Sequence, residues 1–316
     1  MSTVLNIGVD IAKTEIVVAC AEGTWPVKTL PNEKNALLAW LNTVPPGSRL
    51  GLEATGSYHE KLADLAHAHG LTVFLLNPRD THHYAKAMGQ RGKTDRVDAR
   101  LIARLVAHEH TDLIPYTPPT AEQRRLTRLI QRRAKLVTVK GTLRQTLQGV
   151  TDFQADLNAL LQHLDQLIAR IDAELNRVMT RQPERQAAHR RLQTIVGVGP
   201  LVAAGLLSLF ERVPFTHGDA LIAFLGLNPR PKDSGQRVGR RRLSKRGPSE
   251  LRRLLYNAAL AASKTQLWKP WYDHYRGKGL SSTAALVVIA RKIARIAFSL
   301  YRQNTSFDPS RLAMAA

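Results

Sequence analysis

The chain has 316 residues, 44% of them apolar, and carries 46 Lys and Arg against 25 Asp and Glu, a formal net charge of +21. That length supports two or three folded units with a sizeable core, and the cation excess favours a polyanionic partner such as nucleic acid, although ribosomal-type and membrane-surface proteins are also basic. A single cysteine, Cys20, excludes an internal disulfide and a Cys-rich zinc module and fits a reducing cytoplasm.

Taken in chain order, the first residues show no secretory leader, because Asp10 stands where the apolar core of one would run. Residues 4–10 and 14–21 read as two β-rich runs joined by a short connection, as in a hairpin, with a third strand at 27–30. A buried strand follows at 49–54. Ser57 and Glu60 have capping-box spacing, which predicts a helix from there to about residue 69, closed by Gly70. Residues 72–76 make a further strand that stops at Asn77 and Pro78, and Thr94 caps an amphipathic helix from 95 to about 108. The order β-β-β-α-β-α-β-α predicts a mixed sheet with helices on its faces.

Three prolines in residues 111–120 mark a linker. Residues 123–151 hold eight basic side chains and no acidic one, which predicts a helix with a cationic face. Leu157, Leu161, Leu164, Ile168, Ile171, Leu175 and Val178 then alternate spacings of four and three, a coiled-coil seam that closes either on the preceding helix or on a second chain. Residues 192–210 are uncharged and long enough to raise the question of a membrane span, but Gly197, Gly199 and Pro200 at their centre predict a turn between two buried helices. Further helices are expected near 248–263 and 282–301. The organisation is thus 1–110 as an α/β domain, 111–120 as linker, 121–190 as a basic helical and coiled-coil region, and 191–316 as a mainly helical domain.

Carboxylates stand at telling points of this plan. Asp10 ends the first strand, Glu53 ends a later one, and Asp95 and Asp98 project from one side of a helix start. Taken singly, Asp95 reads more readily as an acidic residue in a helix's first turn, and Asp10 as a support for the hairpin, than either does as a catalytic group. Together they offer oxygens of the kind that hard divalent cations take for phosphoryl chemistry, and carboxylates so gathered repel one another without a cation. Gly197 and Gly199 offer either a backbone anion site at a helix start or a tight turn. Residues 230–253 hold ten basic side chains against two acidic ones, with glycines interspersed and Ser234 among them, a composition suited to phosphate contact. Trp268, Trp271, Tyr272 and Tyr275 either stack on bases or pack a core. The eleven histidines show no ligand spacing, so no zinc is expected.

The runs IGVDIAK, LEATGSY, GKTDRVDARLIA, GVGP, FLGLNPRPKDSG, LSKRG and SFDPSR, in this order, resemble the DEDD-type insertion-sequence transposases, the bridge-RNA-guided recombinases. The resemblance implies an RNase H-like (RuvC-like) N-terminal domain, a helical coiled-coil arm, and a mainly helical C-terminal transposase domain with a helix-hairpin-helix-like element. It implies that Asp10, Glu53, Asp95 and Asp98 hold Mg²⁺, two ions with Mn²⁺ as a substitute, and that Ser234 is the nucleophile forming a phosphoserine intermediate. Donor and target DNA, a structured non-coding guide RNA and further copies in a dimer or tetramer are the implied partners, with no membrane, in a bacterial cytoplasm at the nucleoid. Nucleic-acid contacts are expected from Arg124, Arg125, Arg128, Arg132, Arg133 and Lys140 on the arm, from Gly197 and Gly199, and from Arg237, Arg240, Arg241, Arg242, Lys245 and Arg246. The competing readings are a Mg²⁺-dependent junction nuclease that uses water and a non-catalytic nucleic-acid-binding protein.

Overall fold

Alternating apolar residues at the start of the chain build a hairpin. β1 (Asn6–Ile11) pairs antiparallel with β2 (Glu15–Cys20), and the Ala12 amide closes the turn on the Glu15 carbonyl at 2.9 Å. β3 (Lys28–Pro31) extends the antiparallel part, while β4 (Arg49–Glu53) and β5 (Thr72–Leu76) add parallel strands on the other side of β1. The resulting mixed sheet has five strands among the described residues, in the order β3-β2-β1-β4-β5. The computed structural model describes residues 4–23, 25–54, 56–90, 92, 94–230, 239 and 241–312. Those residues fall into two compact units that divide between Pro118 and Pro119.

In the first unit α1 (Lys34–Leu41) and α2 (Glu60–Ala68) connect the strands. The capping box expected at Ser57 does not form: residues 56–59 make a turn, starting from a left-handed Gly56 at φ +55°, and α2 begins at Glu60 without a side-chain cap. Gly70 closes it at φ +77°, as the sequence suggests. A helix that sequence reading omits, α3 (Pro78–Ala87), follows β5 directly. Asn77 caps it by accepting from the Arg79 amide, and Pro78 fills the first helical position, where its missing N–H costs nothing. α4 (Asp95–Glu109) is capped by Thr94, which accepts from the Val97 amide.

α4 lies tight against the sheet. Its apolar stripe of Ala99, Ile102, Ala103 and Val106 is buried, and it faces two strand glycines. A Cβ on Gly8 would come within 2.1 Å of the Ala99 carbonyl and the Ala103 amide, and one on Gly51 within 2.5 Å of Val106. Only bare strand backbone admits the helix this closely. The proline-rich segment after α4 is stitched to the sheet: the Tyr116 amide donates to the Val73 carbonyl at 2.7 Å, and the Tyr116 hydroxyl to Asp64 at 2.8 Å.

The second unit begins with α5 (Ala121–Thr146), started by a reciprocal capping box between Thr120 and Gln123. α6 (Gln154–Thr180) returns antiparallel to it, with Arg133 paired to Asp172, Lys140 to Asp165 and Arg125 to Glu174. Leu175, Val178 and Met179 of α6 enter one core with Leu126 and Ile130 of α5, whereas Leu160 and Leu167 remain exposed. α7 (Pro183–Gln193) and α8 (Pro200–Phe210) flank the GVGP turn, α9 (Gly218–Phe224) follows, and β6 (Pro229–Arg230) pairs antiparallel with β7 (Arg242–Leu243). α10 (Ser249–Ala262), α11 (Lys269–Gly277) and α12 (Ser282–Gln303) complete the unit around a fully buried Trp268. No helix among the described residues is long and apolar enough to cross a membrane.

Candidate active site

Strand register and helix packing together gather the acids in the first unit. The last paired residues of β1 and β4 are Val9 and Leu52, so Asp10 and Glu53 stand one step further on, side by side at the same rim of the sheet. α4, pressed onto Gly8, begins at that rim and presents Asp95 and Asp98 from its first turn, where the helix dipole favours negative charge. Electrostatics show the crowding. Burial pushes the half-buried Asp10 carboxyl up to about 6, and the charges of Asp95, Asp98 and Glu53 push it the same way.

Glu53 has a partner that the sequence did not suggest. The hydroxyl of Thr81, on α3 and 4% exposed, donates to Glu53 Oε2 at 2.9 Å and also to the Pro78 carbonyl at 3.0 Å. Thr81 escaped notice because α3 itself did, and the signal available was Asn77 followed by Pro78 as a cap and first helical residue.

Among the described residues no three Asp, Glu, His or Cys side chains stand at direct ligating distance of one another. Asp95, Asp98 and Glu53 are near enough for their charge to act on Asp10, and the donor set of the four is all carboxylate oxygen, which suits a hard divalent cation and not zinc. A cation here would relieve the repulsion that raises Asp10.

The remaining expected site residues lie in the second unit. Gly197, at φ +95°, serves packing: a Cβ there would sit 2.5 Å from the Ala258 carbonyl and 2.7 Å from Ala262 on α10. Gly199 is the residue before α8, and a Cβ there would meet nothing. On the arm, Arg125, Arg133 and Lys140 are engaged with Glu174, Asp172 and Asp165, Arg124 donates to the Pro119 carbonyl at 3.3 Å, and Arg128 and Arg132 are exposed. Arg241, Arg242, Lys245 and Arg246 are exposed around and after β7. Ser234, Arg237 and Arg240 lie outside the described residues.

The base of the β6–β7 pair is firmly built. Ser244 Oγ hydrogen-bonds Asn228 Oδ1, and Arg252 donates to the carbonyls of Leu225 at 3.2 Å and Gly247 at 2.5 Å. Gly247 itself admits no side chain, since a Cβ would meet the Phe224 carbonyl at 1.7 Å. Of the four aromatics, Trp268 is core, and Trp271 and Tyr272 pack against that core.

A family model described as a transposase, of the DEDD type found in IS110 elements, matches residues 7–168, and one described as transposase of the IS116/IS110/IS902 family matches residues 189–276. The chain is 30% identical to the pilin gene-inverting protein of Moraxella bovis, over 96% of this chain and 97% of that protein. It is 26% identical to a probable family 20 transposase of Pseudomonas aeruginosa, over 96% and 98% of the two chains. It is also 26% identical to the transposase of insertion element IS1111A from Coxiella burnetii, over 96% and 92%.

Proposed function

The chain belongs to the IS116/IS110/IS902 family of transposases, and from that premise we propose that it cuts and rejoins DNA with a serine nucleophile, Ser234, and a magnesium-binding carboxylate cluster. The observation that carries this reading is the gathering of Asp10, Glu53, Asp95 and Asp98 at one rim, felt as the upward push on Asp10. The strand order β3-β2-β1-β4-β5, antiparallel in its first half and parallel in its second, supports an RNase H-like, RuvC-like domain. The antiparallel pair α5 and α6, with Leu160 and Leu167 left exposed, supports a coiled-coil arm through which copies assemble into a dimer or tetramer.

In this mechanism the four carboxylates hold Mg²⁺, or Mn²⁺ in its place, with Thr81 fixing the rotamer of Glu53. When bound, the ions supply neutralisation of the phosphate and of the oxygen it releases. Ser234 Oγ attacks the phosphorus, giving up its proton. A serine–phosphate bond forms as the bond to the 3′ oxygen breaks, and that oxygen takes a proton to leave as a free hydroxyl. Arg241, Arg242, Lys245 and Arg246, exposed around and after β7, supply cations for the DNA backbone. Donor and target are selected by pairing with a structured non-coding RNA, for which the basic arm supplies the cationic surface.

The test is incubation of the full-length protein with DNA carrying the element's ends and Mg²⁺, followed by denaturing electrophoresis. A protein–DNA adduct that withstands denaturation is expected, absent in Ser234→Ala and in Asp10→Asn. Cutting without adduct, unchanged in Ser234→Ala, would replace this mechanism with a water-using nuclease. RNA recovered with the purified protein, and recombination lost after its digestion, is the expected mark of guidance.

A further inference from the structure

Outside the acidic rim, a second concentration of like charge lies on α12. Arg291, Lys292 and Arg295 occupy positions i, i+1 and i+4 and form a triangle on one side of the helix. Arg295 is held by Asp219, to which its Nε and Nη2 donate at 3.0 and 2.7 Å. Lys292 has an aromatic face in place of a carboxylate, its Nζ lying 3.7 Å from the Trp271 ring centroid. Arg291 has neither: its Nε is buried without a hydrogen-bond partner. Buried guanidinium donors are nearly always paired, so this one requires an explanation.

Electrostatics point the same way. Burial, and after it the charge of Arg295, hold both Arg291 and Lys292 below their usual range. Among the described residues, Asp219 is the carboxylate that acts on Arg291, and it is already committed to Arg295. Three cations and one aspartate leave two positive charges in one place. Tyr275 lies tilted beside Trp271, with ring centroids 6.3 Å apart. A half-buried guanidinium and an adjacent ammonium, neither paired with a carboxylate, supply the charge and the N–H donors that the oxygens of a phosphodiester take.

We propose that Arg291 and Lys292, braced by Arg295, form a binding site for one backbone phosphate of a nucleic-acid strand. The site rests on the reading that the chain works on nucleic acid, and it adds a contact outside both the arm and the β6–β7 pair.

The experiment compares full-length wild type with Arg291→Gln, Arg291→Lys, Lys292→Gln and Lys34→Gln, the last removing the same charge from the exposed start of α1. Affinity for a labelled 30-nucleotide DNA strand, its RNA equivalent and a 30-base-pair duplex is followed from 0.1 to 0.4 M NaCl. One phosphate contact contributes about 0.7–0.9 to the slope of log affinity against log salt, equal to roughly fivefold at 0.15 M. Arg291→Gln is expected to lose about that slope and about fivefold in affinity on at least one probe, which also identifies whether RNA or DNA is the source of the phosphate. Arg291→Lys is expected to fall between, keeping charge without the fork, and Lys34→Gln to leave both quantities unchanged. Unfolding midpoints of the variants confirm that each is folded, and Lys292→Gln, expected to lose the same slope, carries the test should Arg291→Gln not fold. An unchanged slope in Arg291→Gln overturns the site, and so does an equal loss in Lys34→Gln, which would make the effect one of net charge. Wild-type strand cleavage is measured in the same preparations: a null salt result with cleavage intact removes this site alone, whereas slope loss with no cleavage or adduct removes the catalytic reading alone.

Discussion

Replacing Asp10 by Asn removes a carboxylate that burial, and after it the charges of Asp95, Asp98 and Glu53, disfavours, and the expected outcome is a more stable protein with no activity. Asp10 is pushed up to about 6 when folded, against roughly 3.9 for an unfolded aspartate. A rise of about two units corresponds to ~3 kcal/mol at full strength. Asp10 is only half-buried, so solvent screening reduces this to roughly 1.5 kcal/mol. The folded value lies above the unfolded one, so the stabilising contribution is complete below pH ~4 and is lost as pH rises through 6. Asp10→Asn escapes that loss. In EDTA at pH 8 the variant is therefore expected to melt about 5 °C above wild type, with the gain largely gone at pH 4.5. Adding Mg²⁺ at pH 8 is expected to raise wild type and leave the variant nearly unmoved. Circular dichroism melts across these conditions check it. An Asn variant no more stable than wild type at pH 8, or equally favoured at both pH values, would refute the account of crowded carboxylates.

Gly8→Ala is expected to destabilise the first unit by about 3 kcal/mol or more and to abolish cleavage, since its Cβ meets α4 backbone at 2.1 Å; urea unfolding measures the first effect and the adduct assay the second. Thr81→Val removes the hydrogen bond to Glu53 and is expected to cost about 1 kcal/mol of stability and to slow cleavage, with Thr81→Ser restoring both. Arg185, whose side chain is 8% exposed, is paired with Glu122 at 2.6 Å and Glu211 at 2.8 Å. Arg185→Met strands both acids and is expected to cost about 3–5 kcal/mol in chemical denaturation of the second unit.

The strands and the acidic rim were legible for local reasons. Hydrophobic alternation marks β1 and β2, and a residue that ends a strand or opens a helix has its position fixed by the element it bounds, which is why Asp10, Glu53, Asp95 and Asp98 could be read in advance as one candidate group. What was missed has physical causes as well. Asn77 and Pro78 end β5 and start α3 with the same two residues, so reading them as a stop alone concealed the helix and Thr81 with it. Ser57 and Glu60 have capping-box spacing, yet the left-handed Gly56 turns the chain before a helix can begin. The partners of Arg133 and Lys140 lie 39 and 25 residues away, and only the antiparallel register of α5 and α6 decides which acid meets which base.

That register gives the arm an unusual relation to any polyanion. Arg125, Arg133 and Lys140 already face glutamate or aspartate across the hairpin, in pairs open enough to water that each contributes under ~1 kcal/mol. A phosphate that takes up one of these cations displaces an incumbent carboxylate, so the transaction is ion exchange between anions and not the neutralisation of an idle charge. Casual polyelectrolytes gain little from such a swap. A ligand whose phosphates follow the spacing of these cations has to displace a carboxylate at every rung.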